Sequence, residues 1–389
     1  MCTNTSQKAT QAYLLHVLNH VMKSDRLTRN NTLKLTAMTE EEKINCDIRD
    51  KQLMRPKVLI VAPFKANAKK VVDELIRLIT PPSGKMEVGY RKRFEKEFGS
   101  DAETEKAKKE KNRPDDFKRI FAGNSEEAFR IGISFAPKAV RLYAPFYSSD
   151  IIIASPLGLR TVIGGEGEAK REFDFLSSIE VFIVEHIDYI LMQNPDHLKH
   201  LAMHLNKTPK EAHNCDFSRV RLWAAEGKSK YFRQNIVLGH TRNVWFNAFM
   251  TNFSTNRNGM VEMKTAEVSK SLAFKNIPLP IPQLFHRVQG DSQSLAFENR
   301  MKAFKKLIGD LVKAKLDGIL VFIPSYFDFI KIRNDFEKDE IKFVTLNEYT
   351  ERSEARRVRI MFETREAPIL LFTERRFCST YQLSADLSF

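Results

Sequence analysis

The stretch KVLIVAPFKANA, residues 57–68, decides the fold. Its run Val58 to Val61 is apolar at every position and rich in β-branched side chains, and a segment of helical period follows it. A strand with one wet face alternates apolar and polar residues. A strand that does not alternate suits burial on both faces, which is the situation of a parallel sheet covered by helices on either side. Outward from this stretch the pattern recurs at Ile151 to Ile153, Val181 to Val184, Ile236 to Leu238, Ile319 to Ile323, Phe343 to Leu346 and Ile369 to Phe372. Alternation of such runs with helical segments implies βαβ units and predicts an α/β chain with parallel sheets.

In open α/β sheets ligands sit beyond the carboxyl ends of the strands, so the residues after each run are the ones to inspect. In order they are Ala62-Pro63-Phe64-Lys65-Ala66-Asn67-Ala68, Ala154-Ser155-Pro156-Leu157-Gly158-Leu159-Arg160, Glu185-His186-Ile187-Asp188, Gly239-His240-Thr241, Pro324-Ser325 and Thr373-Glu374-Arg375. In type, order and spacing these resemble the blocks of DEAD-box RNA helicases. The segments KVLIVAPF, FAGNSEEAFRIGISF, APFYSSDIIIASPLGLR, DFLSSIE, PKEAHNCDFSRVRLW, YFRQN and LVFIPSYFDFIKIRNDF, together with Met192 to Asn194, narrow the resemblance. They resemble the digestive organ expansion factor family, the U-three small nucleolar RNA-associated proteins of the small-subunit processome.

That resemblance implies two RecA-like parallel-sheet lobes of the helicase superfamily two type. It places an N-terminal helical segment at 1–54, a first lobe at 55–252, a linker at 253–282 and a partial second lobe at 283–389, whose closing strands and arginine block would lie beyond Phe389. The linker also follows from composition, since NFSTNRNG and then NIPLPIPQ are hard to continue as helix or sheet. Within the first lobe, residues 91–119 are densely charged with both signs and broken at Gly99 and Pro114, which predicts an exposed insertion, either a loop or a lone charged helix.

An ATPase of this class needs the loop G-x-x-x-x-G-K-[ST], whose amides cradle phosphates while its lysine and hydroxyl reach the γ-phosphate and magnesium. Gly227-Lys228-Ser229 has the right ending, but Leu222 stands where the first glycine belongs and the triplet follows the Glu185 block instead of preceding it. Gly84-Lys85 fails with Ile79 and Met86 at the flanking positions. By the resemblance, Glu185 falls on the magnesium-associated aspartate, His186 on the glutamate that activates water, and Asp188 on the final aspartate. A neutral imidazole is a poor partner for a water nucleophile beside magnesium. The resemblance therefore implies a pseudo-helicase without cofactor or catalytic residue, the alternative being an RNA-dependent ATPase with an unorthodox nucleotide site using Glu185 and Asp188.

Positions matching RNA-contacting blocks of working helicases are Lys65, Ser155, Gly158 and Arg160, with Ser325, Thr373, Arg375 and Arg376 in the second lobe. Serine before proline is also a common helix cap, so Ser155 has a purely local use as well. His197, His200 and His204 with His213 and Cys215 raise the question of zinc, but three histidines over two turns do not converge on one metal and H-E-x-x-H is absent, so a helix face is expected and no metal. Phe322, Tyr326, Phe327 and Phe329 flank an apolar run and are expected in the core.

Lysine and arginine outnumber aspartate and glutamate by 63 to 49 over 389 residues, an excess that favours a phosphate backbone or another acidic surface. The four cysteines, at 2, 46, 215 and 378, form no C-x-x-C pair, which argues against a disulfide framework and for a reducing compartment. No apolar run approaches the length of a membrane span. The expected role, taken from the resemblance, is a non-enzymatic assembly factor for pre-rRNA processing and 18S rRNA maturation. Its expected location is the nucleus and nucleolus, its expected partners are pre-ribosomal RNA, small nucleolar RNA and processome proteins, and no membrane is involved.

Overall fold

The computed structural model describes residues 2–81, 84, 86–100, 121–165, 167–168, 171–239, 244–262, 281–290, 292–347 and 349–374. It divides into two units, Met1–Gly259 and Met260–Phe389.

The first unit opens with helix α1 (Cys2–Ala37) and a short helix α2 (Glu40–Ile44). Then follow β1 (Val58–Val61), α3 (Lys65–Ile79), β2 (Glu87–Gly89), α4 (Arg91–Phe98), β3 (Arg130–Ala136), β4 (Ala139–Leu142) and β5 (Ile151–Ala154). The unit is completed by α5 (Pro156–Ile163), β6 (Val181–Val184), α6 (Ile187–Gln193), α7 (Pro195–His204), α8 (Leu222–Ala225), β7 (Gln234–Val237) and α9 (Val244–Phe253). The sheet has seven strands in the order β2-β4-β3-β5-β1-β6-β7.

β1 is parallel to β5 and β6, with Val58 opposite Ile151 on one side and Val181 on the other. Because side chains alternate faces, Val58, Ile60, Ile151, Ile153, Val181 and Ile183 enter one core with α1 and α3. Leu59, Val61, Ile152, Ala154, Phe182 and Val184 enter a second core, with α5, α6, α7 and α9. Each such buried aliphatic side chain contributes about 1.5–3 kcal/mol relative to exposure, which is why no polar residue interrupts these runs.

The second unit holds α10 (Gln293–Lys313), β8 (Ile319–Ile323), α11 (Tyr326–Lys338), β9 (Phe343–Leu346), α12 (Arg352–Glu363) and β10 (Ile369–Thr373). Its parallel sheet runs β8-β10-β9. Met301, Ile308, Phe329, Ile332 and Phe336 pack on one face of it. Ala355, Val358 and Phe362 pack on the other. Both units are α/β.

Three expectations are corrected. The first sheet is not wholly parallel, because β3 runs antiparallel to both β4 and β5. The stretch 91–98 is not exposed throughout: it forms α4, whose Phe94 and Phe98 are buried and stack at 4.6 Å between ring centroids. Residues 101–119 lie outside the described residues. Finally, Phe329 is buried, but Phe327 and Phe322 are 86% and 47% exposed. Phe327 stands on the first turn of α11, and the Phe322 ring meets that of Phe372 at 5.1 Å between centroids. Among the described residues, no helix is long and apolar enough to cross a membrane.

Candidate functional site

The carboxyl ends of β1, β5 and β6 converge, as parallel order requires, and the backbone fixes them there. Ala62 donates to the Ala154 carbonyl at 3.1 Å, Glu185 to Val61 at 2.8 Å, and Ile187 to Leu238 at 3.0 Å. His186 makes the turn from β6 into α6 with φ +49°, and its ring stacks on Tyr189 at 4.9 Å. The acidic block Glu185, His186 and Asp188 is thus assembled at a strand end.

It is not open. Glu185 is 6% exposed, and its carboxylate accepts the Tyr13 hydroxyl at 2.6 Å and the Thr10 hydroxyl at 3.3 Å. Both donors belong to α1, whose residues Tyr13, Leu14, Val17, Leu18 and Val21 are buried in the first core. The same helix continues toward the amino ends of the strands, where His20 meets Glu180 and the Lys57 ammonium donates to Ser24 at 2.6 Å. Burial pushes the Glu185 carboxyl above its ordinary value, against the lowering effect of the two hydroxyls and Lys70. The Tyr13 hydroxyl is likewise raised, by burial and then by the charge of Glu185. Asp188 is also buried, on the first turn of α6.

The RNA-contact positions of the first unit are occupied by internal tasks. Lys65 is 6% exposed and its ammonium binds Glu126 at 2.6 Å. Ser155, 1% exposed, caps α5 by accepting from the Gly158 amide at 2.9 Å, with Pro156 in the first turn. Gly158 sits so close to the preceding segment that a Cβ would lie 2.1 Å from the Phe129 carbonyl oxygen. Only Arg160 is partly exposed, and its charge helps hold His197 and His200 below the ordinary imidazole range after the larger effect of burial. A pocket of about 270 Å³ opens between these strand ends, lined among others by Pro63, Glu127, Ser155, Pro156, Gln193 and His197. Its charged wall is the carboxyl of Glu127, which burial shifts upward.

In the second unit Ser325 caps α11 by accepting from Asp328, and Thr373 is 1% exposed at the end of β10. Arg375 and Arg376 lie outside the described residues, as do His240 and Thr241. Among the described residues no three or more histidines, cysteines or carboxylates are placed to hold a metal. The histidines have separate surroundings. His204 accepts from Arg171 at 2.9 Å and donates from Nδ1 to the His200 carbonyl at 2.7 Å, whereas His213 meets Asp174 at 3.0 Å. Burial, then His204, Arg160, Arg171 and Lys207, bring His200 down to about 4.

Sequence reasoning missed Tyr13, Thr10 and Arg233. The buried stripe of α1 carries the helical spacing that could have marked Tyr13 as facing the sheet. Arg233 is 3% exposed and donates to Asn206, Asn235 and the Phe253 carbonyl, so it ties β7 to α9. Its guanidinium is pushed down to about 10 by burial.

A largely parallel sheet covered on both faces, with its polar blocks gathered at the carboxyl strand ends, defines an α/β protein of NTP-hydrolase-like type. The chain belongs to the UTP25 family: residues 1–261 match the family model described as UTP25, NTP hydrolase-like domain, and residues 273–384 match Utp25, C-terminal domain. It is 41% identical over 371 residues to the U3 small nucleolar RNA-associated protein 25 homolog of Homo sapiens, covering 95% of this chain and 48% of the relative. With U3 small nucleolar RNA-associated protein 25 of Schizosaccharomyces japonicus it is 42% identical over 366 residues, covering 93% and 54%. The chain spans about half the length of the curated relatives it matches. The overlap with the solved structure of S. cerevisiae Dbp5 bound to RNA and ADP BeF3 is loose, at 11% identity, 83% of this chain, 59% of that one and a TM-score of 0.26, and carries no argument.

Proposed function

We propose that this chain is a non-catalytic binding platform of the small-subunit processome, acting in the nucleolus in pre-rRNA processing and 18S rRNA maturation through pre-ribosomal RNA, small nucleolar RNA or processome proteins. In this reading its two lobes, 55–252 and 283–389, joined by 253–282, are the surfaces that partners recognise. The observation that carries it is the covering of Glu185. A carboxylate that coordinates hydrated magnesium must face solvent and keep its proton off, whereas this one is buried, raised, and held by Tyr13 and Thr10. The absence of G-x-x-x-x-G-K-[ST] from these residues and His186 at the position of the water-activating group point the same way. The names of the relatives supply the particle.

Two measurements test it. With saturating single-stranded RNA and magnesium, ATP turnover by the purified chain is expected to equal that of Glu185→Ala. RNA-stimulated hydrolysis that this substitution abolishes would overturn the reading. In cells, the protein is expected to sediment with U3-containing particles, and its depletion to lower 18S rRNA relative to the large-subunit rRNA. Free sedimentation with undisturbed 18S rRNA would remove the processome assignment.

A further inference from the structure

The segments PKEAHNCDFSRVRLW and YFRQN do not contribute to the strand-end blocks; they fold together at the opposite end of the first sheet. Arg219 and Asp50 form a buried pair at 2.6 Å, and around a parallel bridge from Lys51 to Val220 the Lys51 amide donates to the Arg219 carbonyl while its own carbonyl accepts from the Arg221 amide. Gln234 then enters β7 by donating to the Glu180 carbonyl at 2.8 Å. These bonds fix the segment beside the amino ends of β6 and β7.

Between the fixed points the chain turns outward. Gly227, with φ +69°, allows Lys228 to donate back to the Trp223 carbonyl at 2.8 Å, which brings Phe232 against Trp223 with ring centroids 4.6 Å apart. Phe232 is 59% and Leu222 58% exposed, although both are large and apolar. Cations attend the rings: Arg221 lies 5.7 Å from the Trp223 centroid, and Lys230 and Arg257 lie 5.1 and 4.6 Å from that of Tyr231. From Phe217 to Asn235 there are five cationic residues and one acid, Glu226, which pairs with Lys228; Arg219 and Arg233 are buried, so Arg221, Lys228 and Lys230 are the three that reach the surface. Phe232 is exposed and Trp223 and Tyr231 are half-buried. Rings that keep a solvent-facing side beside cations suit unpaired bases and their phosphates, by stacking on the one and charge neutralisation on the other. A protein partner drawn by apolar area alone would not require cations beside Trp223 and Tyr231. At the strand-end face Lys65 is buried against Glu126 and Glu127 lines the pocket. Beside the rings Arg221 meets Glu180 at 3.3 Å and Lys228 meets Glu226, while Lys228 and Lys230 are exposed.

We infer that Trp223, Tyr231 and Phe232, with Arg221, Lys228, Lys230 and Arg257, form a stacking platform for single-stranded RNA at the amino-terminal end of the first sheet. The platform is independent of the strand-end blocks and of the ATPase question, so it can fail while the proposed function stands.

The test is fluorescence anisotropy of a labelled 12-nucleotide oligouridylate with the purified chain across a salt series. Phe232→Ala is expected to weaken binding roughly 5- to 100-fold, the range for loss of one base-stacking ring. Phe232→Leu keeps apolar bulk without a ring face and is expected to weaken it comparably. Lys228→Glu with Lys230→Glu is expected to reduce both affinity and the salt slope, by about 0.7 for each lost phosphate contact. The charge-matched pair Lys302→Glu with Lys306→Glu, exposed on α10, is expected to change little. Thermal melting of each variant reports whether it folds. The inference is overturned if the parent does not bind, if Phe232→Leu binds like the parent, or if the α10 pair loses as much as the platform pair. It is also overturned if Phe232→Ala keeps RNA affinity and instead removes protein crosslinks from peptide 217–232 in isolated particles.

Discussion

Two residues of the strand-end face, Gly158 and Glu185, carry structural tasks in the first unit. Gly158 has no room for a Cβ, because the Phe129 carbonyl would stand 2.1 Å from it. Gly158→Ala must therefore move α5 away from the segment entering β3, and a cost of about 2 kcal/mol or more is expected in urea unfolding, as for overpacking of a tight contact. Glu185 carries its message in pH. Its folded carboxyl holds the proton to higher pH than the unfolded chain, whose reference value is 4.5, so its contribution is complete below that value and is lost as pH rises through the raised folded value. Glu185→Gln retains an oxygen for the Tyr13 hydroxyl and removes the buried charge. The variant is expected to melt higher than the parent at pH 7–8 and at the same temperature near pH 4, and a parent that melts higher at pH 8 would contradict the burial argument. The chemical identity of Glu185, His186 and Asp188 could be read directly from the strand-end pattern. The partner that covers Glu185 could not, because Tyr13 lies 172 positions away and no local period states which distant helix will close a strand end.

At the scale of elements, α1 holds the first sheet by a stripe of five residues, Tyr13, Leu14, Val17, Leu18 and Val21. Leu14 is fully buried and Leu15, its neighbour, is 61% exposed. Leu14→Ala is expected to cost about 3 kcal/mol and Leu15→Ala within about 0.5 kcal/mol, measured by urea unfolding of both variants. Near-equal costs would mean that α1 is not seated as described. Seven strands were legible because each holds a run of apolar residues, complete in β1, β5 and β6, broken by Thr345 in β9 and preceded by Gln234 and Asn235 in β7. β2, with the sequence EVG, is too short to carry a period, and β4 is four residues with an arginine among them. β3 has an alternation, Ile131, Ile133 and Phe135 against Arg130, Gly132 and Ser134, that marks a strand of a different environment from its neighbours. α4 was hidden by its charge: in RKRFEKEF the two phenylalanines stand four apart, so one face of a helix is apolar even though the composition looks like solvated loop.

At the scale of the molecule, Met1–Gly259 carries its own cores on both faces of its own sheet. Residues 1–259 prepared alone are therefore expected to unfold in one cooperative transition, followed by near-UV circular dichroism. A broad, non-cooperative melt would mean that its cores require residues beyond Gly259. The net charge and the α/β class were readable from the whole sequence, whereas the end of the sheet that gathers cations beside Trp223, Tyr231 and Phe232 was not. Trp223 and Phe232 are separated by a turn whose closure depends on Gly227, and nothing in their spacing announces contact. The seating of α1 also sets a schedule. Tyr13 leaves the ribosome 172 residues before Glu185, and at roughly 5–20 residues per second the helix waits on the order of 10–30 seconds for the sheet that receives it. During that interval its stripe of Tyr13, Leu14, Val17, Leu18 and Val21 is a free amphipathic surface. Each nascent chain therefore depends, for that time, on whatever in the cell shelters such helices from one another.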